Sequence, residues 1–463
     1  MSAHLTGRVL RPQDPSWDIA RHGFAARVDY NGQEPQIIVF AQSAEDVANA
    51  VKWARANNVP VRARSGRHSY EGYSSLVKGG VIIDVSDMTA VSASDESGIA
   101  VVGAGIDMLE LTQKLADVGV TIPMATGPTV GLGGLCQGGG FGVTSRLFGL
   151  TCDCVVDIQL VDAEGRIIHA NEKENPNLFW ALRGGGGGNF GIVTQFSFKT
   201  FKVDYVGVFN INYQWSDFEE IVAIWQDWSP KADWGLTSLI SLHCDQTIVI
   251  QGQYTADPQD MPKLNTLLAP LFAGPAPIAV QIMVVPALQG ANITFGVDPN
   301  NPSWAIRAHD DTQLFKSTSA VAYKALPPVA VTMLKTALEN VPPLSATPSQ
   351  PSMVQLLGGG GKAAEPATDA TAVFYRKADF VVQYDGYWTA PQDAQPTIDW
   401  VVNLRKSMLP YASGAYVNYQ DSMLGADWLE QYYGGNLDRL RQVKKEYDPG
   451  NFFNFPLSIP PAP

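Results

Sequence analysis

Val61-Arg-Ala-Arg-Ser-Gly-Arg-His-Ser-Tyr70 is the stretch on which the reading of this chain turns. Its lead-in is strand, helix, strand: Pro35-Gln-Ile-Ile-Val-Phe40, then Ser43 to Asn58, then Val59 to Arg64. Ser43 is a natural N-cap with Asp46 at the third helical position, a variant of the capping box. Val47, Ala50, Val51 and Ala54 fall on one helical face. The second strand runs into Ser65-Gly-Arg-His68. Gly66 can take backbone conformations closed to other residues, and successive amides in such a turn form an anion-binding nest. The first expectation is therefore a turn that grips a pyrophosphate with its backbone, with a histidine directly behind it.

The bulk properties narrow the field. A chain of 463 residues with 45% hydrophobic and 17% charged residues is globular and long enough for two domains, one of them interruptible by the other. A net charge of -13 without any Lys/Arg run argues against nucleic acid or an anionic membrane as partner. The N-terminus shows no apolar signal region and no segment is long enough to span a bilayer, so a cytoplasmic protein is expected. Four cysteines make no disulfide framework, and Cys152-Asp-Cys154 has no second ligand pair nearby, so no metal site is expected.

Two further glycine-rich segments flank apolar residues. The spacing predicts a helix over Asp107–Val118 with Leu109, Leu111, Leu115 and Val118 buried. Thr126 to Gly142 follows as a glycine-dense loop, holding Gly131, Gly133, Gly134, Gly138 and Gly142. It lacks the strand-then-helix setting of a dinucleotide fingerprint, yet it is threaded with Leu, Val and Phe, unlike a flexible linker. A strand over 154–162 and a hairpin at Ala163-Glu-Gly-Arg166 lead to a short helix at Asn177–Arg183, then to five glycines joined to the strand Asn189-Phe-Gly-Ile-Val-Thr. Glycines welded to an apolar strand mark close approach to a ligand. From about 200 to 420 the chain alternates in the manner of an antiparallel sheet, near 207–213, 239–243, 247–254, 353–357 and 380–388, with helices at 215–225, 328–339 and 398–406 on one face. The tail, with a helix over Asn436–Lys445 and then Tyr447 to Pro461, is rich in proline and aromatics and is expected to be docked.

Five segments in order, Arg64-Ser-Gly-Arg-His-Ser-Tyr-Glu-Gly72, Gly127-Pro-Thr-Val-Gly-Leu-Gly-Gly134, Gly185–Val193, Tyr416-Val-Asn-Tyr419, and Asp448-Pro-Gly-Asn-Phe-Phe453 with Ser458-Ile-Pro-Pro461, resemble the berberine-bridge-enzyme-like branch of the vanillyl-alcohol-oxidase flavoproteins. The resemblance covers nearly the whole chain. It implies an α+β fold: an FAD-binding domain of that type made from residues 1–200 and 416–463, with a substrate domain, 201–415, built on an antiparallel sheet covered by helices. It also implies FAD held covalently through His68, with Arg64, Ser65, Gly66, Arg67 and Ser69 around it. Further cofactor contacts are implied at Gly127, Thr129, Val130, Gly131, Gly133, Gly134, Gly138 and Gly142, at Gly188, Asn189, Gly191, Ile192 and Val193, and at Asn418 and Asn451. Arg67 stands where many relatives have glycine and would add a cation near the pyrophosphate. Relatives with a second covalent link carry a cysteine where this chain has Gly127; Cys136 lies further on, so a single tether is expected and Cys136 is assigned to packing. Val130 falls where relatives gate oxygen, and valine there resembles the permissive choice.

By the same resemblance Tyr419 is the catalytic tyrosine, with Tyr416, Tyr70 and Gln355 about the substrate. The reaction implied is oxidation of a hydroxyl on a small molecule, a sugar or other alcohol, with hydride passing to flavin N5 and dioxygen reduced to hydrogen peroxide. A phenol is a poor base at neutral pH without a neighbouring cation, and Lys362 and Arg376 are the candidates. On a strand Tyr416 and Asn418 would share one face and Tyr419 the other, so a kink is needed for all three to meet one flavin. The aspartate that sugar-oxidising relatives carry two residues after Gln355 is Leu357 here. Trp225, Tyr254, Tyr384 and Trp388 read as core before they read as sugar platforms. An amine oxidase, a dehydrogenase or tailoring enzyme of secondary metabolism, and a flavin-binding protein without redox turnover stand as alternatives. A monomer or homodimer is expected, with substrate and dioxygen as its only small partners.

Overall fold

The lead-in folds as its spacing predicts. The computed structural model describes residues 4–255, 259–297 and 312–463; Met1–Ala3 of the N-terminus read above lie outside them. Among these, the helix Ala44–Ala56 opens with Ser43 Oγ accepting the Asp46 amide, and Val47, Ala50, Val51 and Ala54 are fully buried. Each buried valine contributes roughly 1.5–3 kcal/mol. Strands Ile37–Phe40 and Val61–Arg64 both pair in parallel with Val81–Asp84, and Arg8–Leu10 closes one edge antiparallel. A second sheet of five antiparallel strands runs Val91–Ser94, Ile99–Gly103, Ile192–Lys199, Val155–Val161, Ile167–Ala170. Val39, Val81, Val102, Ile158 and Phe196 join both sheets in one apolar core.

The glycine segments depart from the expected picture in instructive ways. Gly66 is not the left-handed residue of its turn; Arg67 is, at φ 62°. Gly66 is required because a Cβ there would stand 2.2 Å from the Gly131 nitrogen, where two turns cross backbone to backbone. The stretch expected to be loop contains a helix, Leu132–Gln137, whose Leu132, Leu135 and Cys136 face inward. The helix over Met108–Ala116 buries Leu109, Leu111 and Leu115, but it ends before Val118, which is 40% exposed on the turn that follows.

A third sheet has seven strands, all antiparallel, in the order Ala279–Pro286, Tyr205–Tyr213, Ile248–Tyr254, Leu236–His243, Met353–Gly358, Phe380–Tyr387, Phe315–Ala322. Two of these strands carry no alternation in the sequence that announces them. Phe315–Ala322 is Phe-Lys-Ser-Thr-Ser-Ala-Val-Ala, small and polar although buried along its length. One face of the sheet packs Ile211, Ile240, Ile250, Leu356 and Val382 against the helices Phe218–Trp228, Pro328–Glu339 and Ala394–Met408. Trp225, Tyr254 and Tyr384 lie in this core and Trp388 is buried beside it, so all four are packing residues. Residues two apart on a strand share a face, so Ser241, Gln355, Gln383 and Asp385 all turn to the opposite face of the sheet.

The tail is docked. Asp448 accepts the amides of Phe452 and Phe453, and the buried Lys444 ammonium donates to Asp448, to the Asn189 carbonyl and to the Phe453 carbonyl. The Tyr416–Tyr419 segment is a tight turn closed by the Tyr419 amide on the Tyr416 carbonyl, not a strand. That turn resolves the conflict of faces, because Tyr416, Asn418 and Tyr419 all reach the same cavity.

Candidate active site

A cavity of about 330 Å3 lies where the three sheets meet. The turn Arg64–Tyr70, the loop at Ala125–Leu135, the glycine turn Gly186–Val193 and the turn Tyr416–Gln420 wall it, and Leu239, Gln355, Leu357 and Gln383 of the seven-stranded sheet form its roof. Much of the wall is bare backbone. Gly134 has open space where a side chain would stand, and Gly187 and Gly188 meet neighbours only at ordinary contact distance. Any Cβ at Gly134 would occupy the cradle.

His68 stacks on Phe24, with ring centroids 4.2 Å apart, and its Nε2 lies 2.8 Å from the Thr129 hydroxyl. Burial lowers its pKa to about 4, so the imidazole is neutral at pH 7. Ser65 donates to the Ala104 carbonyl, and Ser69 donates to Gln420. The Arg64 guanidinium, by contrast, is held by Asp84, Ser75 and the Ala20 carbonyl. It buttresses the turn from beneath and does not present its charge to a ligand.

Gly127, Val130, Gly131, Gly133, Gly134, Gly188, Asn189, Gly191, Ile192, Val193 and Asn418 line the cavity. Four residues expected there do not: Thr129, whose hydroxyl meets His68 instead, and Gly138, Gly142 and Asn451. A Cβ at Gly138 would strike the Asn418 side chain at 2.0 Å and one at Gly142 the Met124 carbonyl at 1.7 Å, so both glycines serve chain crossings. Asn451 sits in the tail turn, at φ 49°, with its amide on the Asp448 carbonyl. Cys136 is fully buried, its thiol pKa pushed well up by burial, and it does not reach the cavity wall. Gln137 was not anticipated: it lines the cavity with a buried Oε1 that lacks any partner, while its Nε2 donates to the Gly133 carbonyl.

Under the roof, Tyr70 and Tyr419 stack with centroids 5.6 Å apart and planes 10° from parallel, and Tyr416 meets Tyr419 edge-on at 4.9 Å. Burial pushes the Tyr419 and Tyr70 phenols well above their ordinary range. Neither expected cation relieves this: Lys362 pairs with Glu365 and Arg376 with Asp153. What faces the tyrosines is a carboxylate. Asp385 accepts from Gln383 at 3.1 Å through Oδ1, its buried Oδ2 has no partner, and burial raises its pKa to about 7. Asp385 does not take the place of the acid missing at Leu357: in register Gln383 stands opposite Gln355, Asp385 opposite Met353, and Leu357 opposite Val381. Gln383-Tyr-Asp385 carries its own signal in the sequence, two polar residues at alternate positions of an otherwise apolar strand.

Residues 35–171 match the family model of an FAD binding domain, and 415–460 that described as berberine and berberine like. The FAD-linked oxidoreductase YgaK of Bacillus subtilis strain 168 is 36% identical, over 99% of this chain and 97% of its own. The chain belongs to the berberine bridge enzyme-like family of FAD-linked oxidoreductases. Glucooligosaccharide oxidase of Sarocladium strictum is 27% identical, over 96% of this chain and 90% of its own. Among solved structures, the grass pollen allergen Phl p 4, described as having glucose dehydrogenase activity, superposes with a TM-score of 0.88 at 25% identity, covering 98% of this chain and 97% of its own. An isoleucine-to-valine variant of it, described as a glucose oxidase, gives 0.88 at 26% and the same coverage.

FAD is therefore the cofactor of this chain, as it is of the family, and the residues present fit it. The glycine cradle leaves room for a backbone-gripped pyrophosphate, and the orphaned Gln137 Oε1 is an acceptor in need of a donor such as a hydroxyl. Among the described residues no helix is long and apolar enough to cross a membrane, and no group of three or more His, Cys, Asp or Glu side chains could hold a metal ion.

Proposed function

We propose that this protein oxidises a CH–OH group of a small polar molecule, a sugar or related alcohol, to the carbonyl, with dioxygen reduced to hydrogen peroxide. The observation that carries this reading is the pair of roof amides, Gln355 and Gln383, set over a stacked tyrosine pair and a glycine cradle, with the buried Asp385 accepting from Gln383 on the same strand. Amide side chains and a carboxylate are what recognise hydroxyl groups, and buried polar atoms left without partners select for ligands that satisfy them. FAD, when bound, supplies the two-electron acceptor. The chain supplies the proton chemistry. Tyr419 orients the substrate hydroxyl, and Asp385, the group of this cluster whose pKa lies nearest neutrality, takes up the proton.

His68 is the tether. With Nε2 turned to Thr129, Nδ1 is the nitrogen left for bonding to the flavin, and a neutral imidazole is nucleophilic. Gly127 in place of a second linking cysteine supports a single bond. Val130, by the resemblance the residue where relatives gate oxygen, supports oxidase over dehydrogenase. The division into a cofactor part at 1–200 and 416–463 and a substrate part at 201–415 follows the same reading. The four free cysteines suit a cytoplasmic location. A peroxide-coupled screen over sugars, alcohols, amines and phenolic metabolites tests the proposal. Turnover with a hydroxyl donor is expected; a flavin that substrate bleaches and oxygen fails to restore overturns it.

A further inference from the structure

A second cavity, of about 280 Å3, opens between the helices Met108–Ala116 and Ala287–Phe295. Its wall is aliphatic, with Val120, Ile122, Met124, Val143 and Val206 prominent. Most polar side chains in that wall are turned to protein partners: Thr112 to the Met108 carbonyl, Thr121 to the Ile122 carbonyl, Gln253 to Thr255, Thr294 to the Gly290 carbonyl. The acids Asp117 and Asp204 are exposed at its edge. Little inside is placed to recognise a polar ligand, so the cavity suits a small apolar one.

Its position says which. Ala125 lines both this cavity and the main one. Its neighbour Met124 lines the second cavity alone, so the boundary between the two falls at the Met124–Ala125 backbone, which Gly142 crosses so closely that a Cβ there would stand 1.7 Å from the Met124 carbonyl. The helix that walls the second cavity is also tied to the loop bearing Val130, through the Met108 amide on the Val130 carbonyl and the Leu109 amide on the Pro128 carbonyl. We propose that the second cavity is the dioxygen antechamber of the enzyme, delivering the gas past Ala125 to the Val130 side of the main cavity while the polar substrate lies under the amide roof. The inference rests on the oxidase reading. Dioxygen there takes two electrons and two protons and leaves as hydrogen peroxide.

The test fills the antechamber from its outer walls with Ala116→Phe and Ala291→Phe, neither of which touches the main cavity. Stopped-flow then follows holoenzyme reduction by substrate, reoxidation by dioxygen, and reoxidation by an artificial dye. Reoxidation by dioxygen is expected to fall about tenfold or more, with reduction and dye reoxidation unchanged. Xenon pressurised into wild-type crystals should occupy the cavity and be displaced in the variants. If both variants fill the cavity and still react with dioxygen as fast as a wild type that uses it, the route is wrong and the oxidase reading stands. If dioxygen fails to reoxidise the wild type, the oxidase reading falls and takes the route with it.

Discussion

Replacing Asp385 by asparagine separates the two things this carboxylate does, and the structure sets the size of one of them. Burial raises its pKa from 3.8 to about 7, so the native state keeps a proton that the unfolded chain releases. At about 1.4 kcal/mol for each tenfold change in proton affinity, that difference is worth ~4 kcal/mol. The sign follows from linkage: the contribution is fully present below the unfolded pKa and is lost as pH rises through about 7. An amide has no such loss. Urea unfolding at a series of pH values should therefore show Asp385→Asn gaining ~4 kcal/mol on the wild type between about pH 4 and about pH 8. The same holoenzyme pair, followed by flavin absorbance, should show a wild-type reduction rate that rises with pH through about 7 and a variant at least about a hundredfold slower with that limb missing. A stability gap that does not move with pH, or a limb that persists in the variant, refutes the assignment.

Tyr419→Phe should slow flavin reduction by at least about a hundredfold while leaving substrate binding nearly unchanged, since it removes a hydroxyl and keeps the stack on Tyr70. His68→Ala should bind FAD that acid releases, and Thr129→Val should slow covalent incorporation without abolishing it, read by the flavin retained on denatured protein. Lys316, fully buried between Glu71 and Asp421, ties the segments after Tyr70 and Tyr419 to the seven-stranded sheet. Lys316→Met leaves both acids without it and should cost about 3–5 kcal/mol in chemical denaturation.

Local physics was legible wherever it acted alone. Ser43 and the apolar stripe of its helix, the turn before His68, and the docked proline-rich tail all followed from capping, periodicity and glycine placement. What escaped depends on partners distant in sequence. That Gly66 serves a chain crossing, and Arg67 takes the left-handed conformation, shows only once Gly131 is packed against the turn. Phe315–Ala322 is a strand because Glu71 and Asp421, from elsewhere in the chain, neutralise the lysine within it. Asp385 acquires its raised pKa only when the sheet roofs the cavity, so its residue type was readable and its role was not. Gly138, Gly142 and Asn451 show the converse, since a family pattern placed them on the cofactor and the crossings of this chain use them for packing and a turn.

Every step proposed for this enzyme requires FAD seated in the glycine cradle, and the proposed tether bonds it to one imidazole. Acid precipitation of the purified protein, followed by mass analysis of its peptides, tests this most directly. A yellow pellet in which the peptide bearing His68 carries the flavin is the predicted result. A colourless pellet with all of the flavin in the supernatant would contradict it.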